Sequence, residues 1–556
     1  MRFMLKNKKL IIVAVILIAA VLRFNQLNTL PALNADEAAI GYNVYSLIET
    51  GKDEHGNLWP VHFQSFNDYK PGLFFYIVLP FVYFLGLNEW AVRIPGALLG
   101  LGTVLLVYQL TVELVNRETA RNRQQDYVHI LGLIAAFLLA ISPWHIHFSR
   151  GGWEVNAGTF FIVLGIWLAL VSLRKGGKFW FLSFSSFVAS LYTYHSTRII
   201  VPLLALGFVF FFGKNLWHGR KKILLPAIIA ILFLIPLAID LIGPAGVARA
   251  GGVSIFIDKG VVERINEQRG EHASMGSLGA LLFHNKLSNY SWEFVSNWGE
   301  HFWGQFLFLS GDDIERDKVP EIGLLYLIQL PFLMVGLFSI ARNPRGLGIV
   351  VWWLAVAPFA AALTFQSPHA LRSHNMIIPL TIISAFGLLA ILNWIKNNFM
   401  NKNLRVVCYV LLVAVSVWDF TRYLHQYYVH MSKEYPFSSQ YGVKELVAYV
   451  KDNYDKYPKF IITDRYDQPY ILFLFYLGYP PSEFQKQHNL TLRDNFGFST
   501  VRSFDKFEFR SINAEVLNMS KGALIAGSDK EIEDAMNVVH KIYFPDGGPA
   551  FKLVVN

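Results

Sequence analysis

Between residues 10 and 423 the chain keeps returning to apolar stretches close to the length a helix needs to cross a bilayer, and that rhythm admits few folds other than a membrane-embedded helical bundle. The stretches fall at 10–22, 91–115, 128–144, 157–173, 179–194, 199–212, 223–242, 322–340, 347–365, 376–395 and 404–423, about eleven spans by the ~20-residue criterion, with 179–194 and 199–212 on the short side. Apolar residues make up 54% of the chain and charged residues 16%, and the mean hydropathy is +0.37, which excludes an ordinary water-soluble domain. Aromatic residues reach 15%, as when rings anchor many helix ends at headgroup depth. The net charge of +9 is scattered in short clusters between apolar runs rather than gathered on one face, so nucleic acid is not an expected partner. The single cysteine, Cys408, lies inside an apolar run and reads as a core residue.

Charge gives the expected orientation, because Lys and Arg concentrate in cytoplasmic loops. A basic start (Arg2, Lys6, Lys8, Lys9) precedes the first span without a convincing cleavage site, so the amino terminus is expected inside. Alternate connections then carry Arg117, Arg121 and Arg123; Arg174, Lys175 and Lys178; Lys214, Arg220, Lys221 and Lys222; Arg342 and Arg345; and Lys396, Lys402 and Arg405. That register predicts an extracytoplasmic carboxyl terminus. The segment 72–87 is apolar but short and contains Pro80, so it is expected to lie at the interface or re-enter rather than cross. Residues 1–424 are thus expected to form the membrane domain, with external loops at 31–70 and 243–321. Beyond 424 the pattern changes. Val443, Leu446, Val447 and Val450 recur at helical spacing, 460–463, 524–526 and 551–555 read as strands, and 530–539 as a helix. The expected fold class is an α-helical polytopic membrane protein with a small extracytoplasmic α/β domain at 425–556.

The polar groups that suggest chemistry gather on the expected outer face. The stretch Asn34-Ala35-Asp36-Glu37 follows the first span, and Tyr69-Lys70-Pro71-Gly72 opens the interfacial segment. Arg150 and Glu154 follow the third span, His195 and Arg198 the fifth, and His369 and Arg372 join the ninth and tenth. Arginine is less expected outside, and its planar fork can hold two phosphate oxygens. His145, His147 and Glu154 offer donor atoms but match no tight zinc spacing. No metal ligand is assigned and no cofactor is required; a divalent metal is left open.

The order NADEAAIGYN at 34–43, then Tyr69-Lys70-Pro71-Gly72, then Glu89-Trp90-Ala91-Val92-Arg93-Ile94-Pro95 resembles the bacterial branch of the C-type glycosyltransferases, the group with the protein O-mannosyltransferases and the lipid A aminoarabinose transferase. The likeness covers about residues 10–240 well and the later helices loosely. It implies that Asp36, in its Asp-Glu context with Glu37, is the catalytic carboxylate, that Glu154 is an acid near the sugar-phosphate, and that Lys70 contacts a polyprenyl phosphate. The family's Lys-Pro-Pro is Lys70-Pro71-Gly72 here, and Tyr69 stands where some members place a metal-binding acid. Tyr42, Arg150, His195, Arg198, His369 and Arg372 complete the candidate substrate-binding set. The expected partners are a polyprenyl-phosphate-linked sugar, an acceptor lipid, glycan or protein, and membrane lipids. The expected activity is inverting sugar transfer at the outer face of the cytoplasmic membrane. A transporter or flippase of lipid-linked glycans is the rival reading, but transporters keep ionisable groups near mid-bilayer and show repeated halves. An oligosaccharide polymerase or ligase acting through 243–321 is a further alternative.

Overall fold

The computed structural model describes residues 7–66, 68–116, 125–243, 246, 252–342, 347–494, 498–534 and 536–555. The inner-loop arginines expected at 117, 121, 123 and 345, like Asn67 before Lys70, lie outside the described residues. The chain divides into two compact units. The larger is Met1–Leu22, Gly100–His147 and Val155–Tyr423; the other is Arg23–Leu99, Phe148–Glu154 and Leu424–Asn556.

The apolar runs are helical. Helix α1 is Lys8–Phe24, and the longer helices include Glu89–Asn116, Glu154–Lys175, Ile377–Asn398 and Lys402–His425, close to the expected 91–115, 157–173, 376–395 and 404–423. Among the described residues, 5 helices are long and apolar enough to cross a membrane, or 6 if one bent pair is a single span. The bent pair turns by 58° where Pro143 starts a new helix, because proline cannot continue the hydrogen-bond ladder. Several expected spans are shorter than anticipated, among them Phe179–Leu191, Gln329–Arg342 and Gly348–Val356.

The expectation of two spans at 199–212 and 223–242 is corrected. One helix, Thr197–Ile242, runs through 46 residues, roughly 69 Å at 1.5 Å per residue. The basic segment 214–222 was read as a turn because of its charge. It holds no proline, and Lys, Arg and Leu are strong helix formers, so the backbone continues. One continuous helix takes the place of two crossings joined by a basic loop, which removes one step from the expected alternation. Conversely, the helix Leu73–Leu85 has only 13 residues around Pro80, too short to cross, as its length predicted.

In the larger unit, the helices Gln329–Arg342 and Ile377–Asn398 pack backbone to backbone. A Cβ at Gly387 would sit 1.7 Å from the Phe332 carbonyl, and one at Gly336 would sit 2.1 Å from that of Ile383. Small residues at facing positions are what permits such an approach in membrane helices.

The other unit contains α2 (Ala35–Thr50), a hairpin of β1 (His62–Ser65) and β2 (Asp68–Pro71), and a six-stranded sheet. The sheet runs β4-β5-β3-β6-β8-β7, with β3 (Phe460–Ile462) parallel to both β5 (Phe507–Phe509) and β6 (Leu524–Gly527). Beside these lie β4 (Ser503–Phe504), β8 (Pro549–Val555) and β7 (Val538–Tyr543), all antiparallel to their neighbours. Every residue of β3 is buried, as a central parallel strand covered on both faces requires. Ile461, Ile525 and Val554 meet Val516 on one face. On the other, Phe473 of the helix Pro469–Leu477 packs on Phe507 and Phe509 with ring centroids 5.4 and 5.3 Å apart. The helix expected at 530–539 is a set of turns leading into β7, where Val538, Val539, Ile542 and Tyr543 favour a strand.

Candidate functional site

Two neighbouring acids at the start of α2 take opposite roles because the helix points them to different surroundings. Asn34 caps α2, its side chain accepting the Glu37 amide at 3.0 Å, while the Glu37 carboxylate accepts the Asn34 amide at 3.3 Å. Anions in this first turn also meet the positive end of the helix dipole. Glu37 is 1% exposed and grips Arg93 in a two-pronged pair, Nε to Oε1 at 2.7 Å and Nη2 to Oε2 at 2.6 Å. It also accepts the Gly152 amide at 2.8 Å. Arg93 donates further to the carbonyls of Leu27, Pro31 and Ala32. Both oxygens of Glu37, which the sequence offers beside Asp36 as a catalytic acid, are engaged in this buried brace. Arg93, the other half of that brace, was quoted in the sequence only as part of a phrase.

Asp36 instead keeps 25% of its side chain exposed and accepts from Lys70 Nζ at 2.5 Å. Lys70 arrives on β2, opposite Phe63 in the hairpin register, with its ammonium 5.3 Å from the Phe66 ring centre. Burial alone would lower the Lys70 pKa, but Asp36, Glu154 and Asp68 outweigh it and hold the ammonium above its ordinary value. Glu154, at the amino end of Glu154–Lys175 and 7% exposed, thus shares the electrostatic field of Asp36 and Lys70. Three carboxylates, Asp36, Asp68 and Glu154, thus act on one ammonium. Tyr69, paired with Gln64 across the hairpin, supplies no carboxylate.

Arg150 and Tyr42, expected to bind substrate, make contacts within the protein. Arg150 donates to the Tyr427 hydroxyl at 2.9 Å and to the carbonyls of Gln26 and Leu30, and its guanidinium stacks 5.1 Å from the Tyr427 ring centre. Tyr42 is buried and donates to the Tyr479 carbonyl at 3.1 Å.

In the larger unit a cavity of about 440 Å³ is lined by His195, Arg198 and Arg372 together with apolar residues such as Ile199, Phe256 and Leu363. Two sequence motifs far apart in the chain converge there. Arg372 donates to Thr364 Oγ1 at 2.7 Å and to Gln366 Oε1 at 3.1 Å, and Arg198 lies 3.1 Å from His195 Nδ1. His369 is not in the cavity lining; it turns toward Asp312 and Asp317, at 3.4 and 3.7 Å. His147 Nε2 donates to the Arg316 carbonyl at 2.9 Å, and His145 stacks on His374. Asp419 accepts the Ile328 amide at 2.9 Å, a structural use of a buried acid.

This fold is shared with membrane transferases of known structure. The structure resembles ArnT from Cupriavidus metallidurans bound to undecaprenyl phosphate, with a TM-score of 0.53, 12% identity and 97% of each chain covered. It also resembles the apo oligosaccharyltransferase of Archaeoglobus fulgidus, with a TM-score of 0.51 and 14% identity over 94% of this chain and 69% of that one. In sequence, 173 residues are 26% identical to "Putative mannosyltransferase YkcB" of Bacillus subtilis (strain 168), covering 31% of this chain and 22% of that protein. The chain thus spans about a fifth of that relative's length. No family model matches.

Proposed function

We propose that the protein is a glycosyltransferase that moves a sugar from a polyprenyl-phosphate donor to an acceptor hydroxyl at the outer face of the cytoplasmic membrane, with inversion at the anomeric carbon. The observation that carries this reading is the Asp36–Lys70 pair at 2.5 Å with Glu154 in its field. Asp36 takes the proton from the acceptor as the new glycosidic bond forms, and the carbon–oxygen bond to the phosphate breaks. The phosphate leaves with added negative charge, which the Lys70 ammonium neutralises. A donor phosphate therefore competes with Asp36 for Lys70, and its arrival releases the carboxylate to act as a base. The cavity lined by Arg198 and Arg372 suits an amphiphile with an anionic head, since cations and apolar side chains share one wall. ArnT, in the structure that shares this fold, is bound to undecaprenyl phosphate, which supports a prenyl-phosphate donor here. The outer face is supported by the sequence position of Asp36 just after α1, whose start is basic.

The test compares glycolipids and envelope glycoproteins, by mass spectrometry, from cells with and without the gene. One species should lose a sugar, and wild type should restore it while Asp36→Asn does not. Full restoration by Asp36→Asn would remove the carboxylate from the mechanism.

A further inference from the structure

We propose that Asp312, Asp317 and His369 bind one divalent transition-metal ion of the zinc type, and that this ion locks the segment carrying Arg372. The metal site does not depend on the proposed transfer reaction.

The three side chains come from separate turns of the larger unit and are 1%, 2% and 5% exposed. Asp312 follows Gly311, whose φ of +71° turns the chain sharply; Asp317 ends the turn Glu315–Asp317; His369 follows Pro368. One donor atom from each lies within 4.8 Å of the other two. His369 Nδ1 is 3.4 Å from Asp312 Oδ2 and 3.7 Å from Asp317 Oδ2. Tetrahedral zinc bonds of about 2.0–2.2 Å place neighbouring donors roughly 3.3–3.6 Å apart, so these separations suit a shared ion. His369 Nδ1 carries one hydrogen at most, so it can donate to Asp312 but not to Asp317 at the same time. An imidazole nitrogen with two carboxylates favours zinc or manganese over magnesium or calcium.

Backbone contacts hold the turns that carry the three donors, and the Asp312 carboxylate is itself hydrogen-bonded. Asp312 Oδ1 accepts the Ile314 amide at 2.9 Å and its Oδ2 the Ala370 amide at 2.5 Å. The His369 amide donates to His301 Nε2 at 3.1 Å, and His301 Nδ1 in turn donates to the Asn297 carbonyl at 2.7 Å. His147 holds the carbonyl of Arg316, next to Asp317, and Trp144 donates to the carbonyl of Ala370, next to His369. Arg372, three residues past His369, sits in the cavity wall, so an ion here would fix the cavity's guanidinium.

The experiment uses the full chain purified in detergent on an affinity tag without histidines. Elemental analysis should find about one zinc or manganese per chain. Stripping with a chelator should lower the melting temperature, and adding zinc should restore it. Replacing zinc by cobalt should give the visible absorption of a tetrahedral site. His369→Gln and Asp317→Asn should each reduce bound metal at least fivefold while eluting as monodisperse protein. If either variant fails to fold, the cobalt spectrum of wild type decides. A wild-type chain with no bound metal, no thermal response to zinc or manganese and no cobalt spectrum would overturn the proposal, as would full metal content in both variants.

Discussion

Changing Glu37 to Gln asks whether this acid does chemistry or holds the fold. The carboxylate accepts four hydrogen bonds, two from Arg93 and one each from the amides of Gly152 and Asn34. Arg93 and Glu37 are 0% and 1% exposed. Glutamine keeps the shape but turns an amide NH2 toward a guanidinium donor, leaving a buried cation without its anion. Breaking a buried pair from one side costs about 3–5 kcal/mol, a fall of roughly 10² to several times 10³ in the folded ratio at about 1.4 kcal/mol per tenfold. Asp36→Asn offers the contrast. Its side chain is 25% exposed, and Glu154 and Asp68 still act on Lys70 when Asp36 is neutral, so the ammonium keeps anionic neighbours. The assay heats each purified variant in steps and recovers intact protein by size exclusion, which reads an apparent stability suited to a protein that unfolds irreversibly. Glu37→Gln should lose its folded peak many degrees below wild type, and Asp36→Asn close to it. Adding Arg93→Gln to Glu37→Gln should cost less than the sum of the single changes, because no uncompensated charge remains. A Glu37→Gln protein as heat-stable as wild type yet inactive would refute the brace and return Glu37 to the chemistry.

On the proposed reading, Lys70→Ala should lower the maximal rate at saturating donor. Arg372→Ala should mainly raise the donor concentration giving half-maximal rate, and Lys70→Arg should recover only part of the loss because its planar fork places the charge differently. Steady-state kinetics with a short-chain polyprenyl-phosphate sugar reads this, and full activity of Lys70→Ala would discard the phosphate role. Glu54 gives a pH test. Burial pushes its carboxyl up to about 8, so between about pH 4 and pH 8 the folded chain holds a proton that the unfolded chain releases, and stability falls as pH rises. Burial likewise drives His55 down to about 3, which gives the opposite slope below about pH 6.5, so the comparison belongs above pH 7. Glu54→Gln should melt higher than wild type at pH 8, and an equal or lower melting point would exclude the buried carboxylate as the cause.

Helix existence was legible in the chain because apolar length is local, and β3 and β8 were legible because short branched runs between turns are local too. What failed was inference from charge to backbone. Lys214–Lys222 marks a polar level along Thr197–Ile242, yet nothing in those residues breaks a helix. The site was readable in part for the same reason. Asp36 and Lys70 stand beside helix and hairpin boundaries that the sequence marks. Nothing local separates Asp36 from Glu37, because the difference is made by Arg93, 56 residues away. Asp312 and Asp317 carried no signal in a loop rich in charges, and only the return of the chain at His369 joins them.

The composition of the Asp36 cluster also bears on how a donor would lie. Asp36, Asp68 and Glu154 all act on Lys70, so the cluster has more acid than base around one ammonium. A phosphate placed deep among these groups would meet repulsion from three carboxylates, and Lys70 alone could not offset it. The sugar end of the donor has the opposite requirement. Its anomeric carbon gains positive charge as the bond to phosphate lengthens, as in other glycosyl transfers with oxocarbenium-like transition states. Carboxylates beside that carbon stabilise the transition state more than the ground state, which is the condition for raising the rate. On the proposed reading the sugar therefore sits among Asp36 and Glu154, with Lys70 at the boundary where the leaving oxygen passes. On this reading Asp36 takes the acceptor's proton while Glu154 shares its field, so two neighbouring acids bear on the same step.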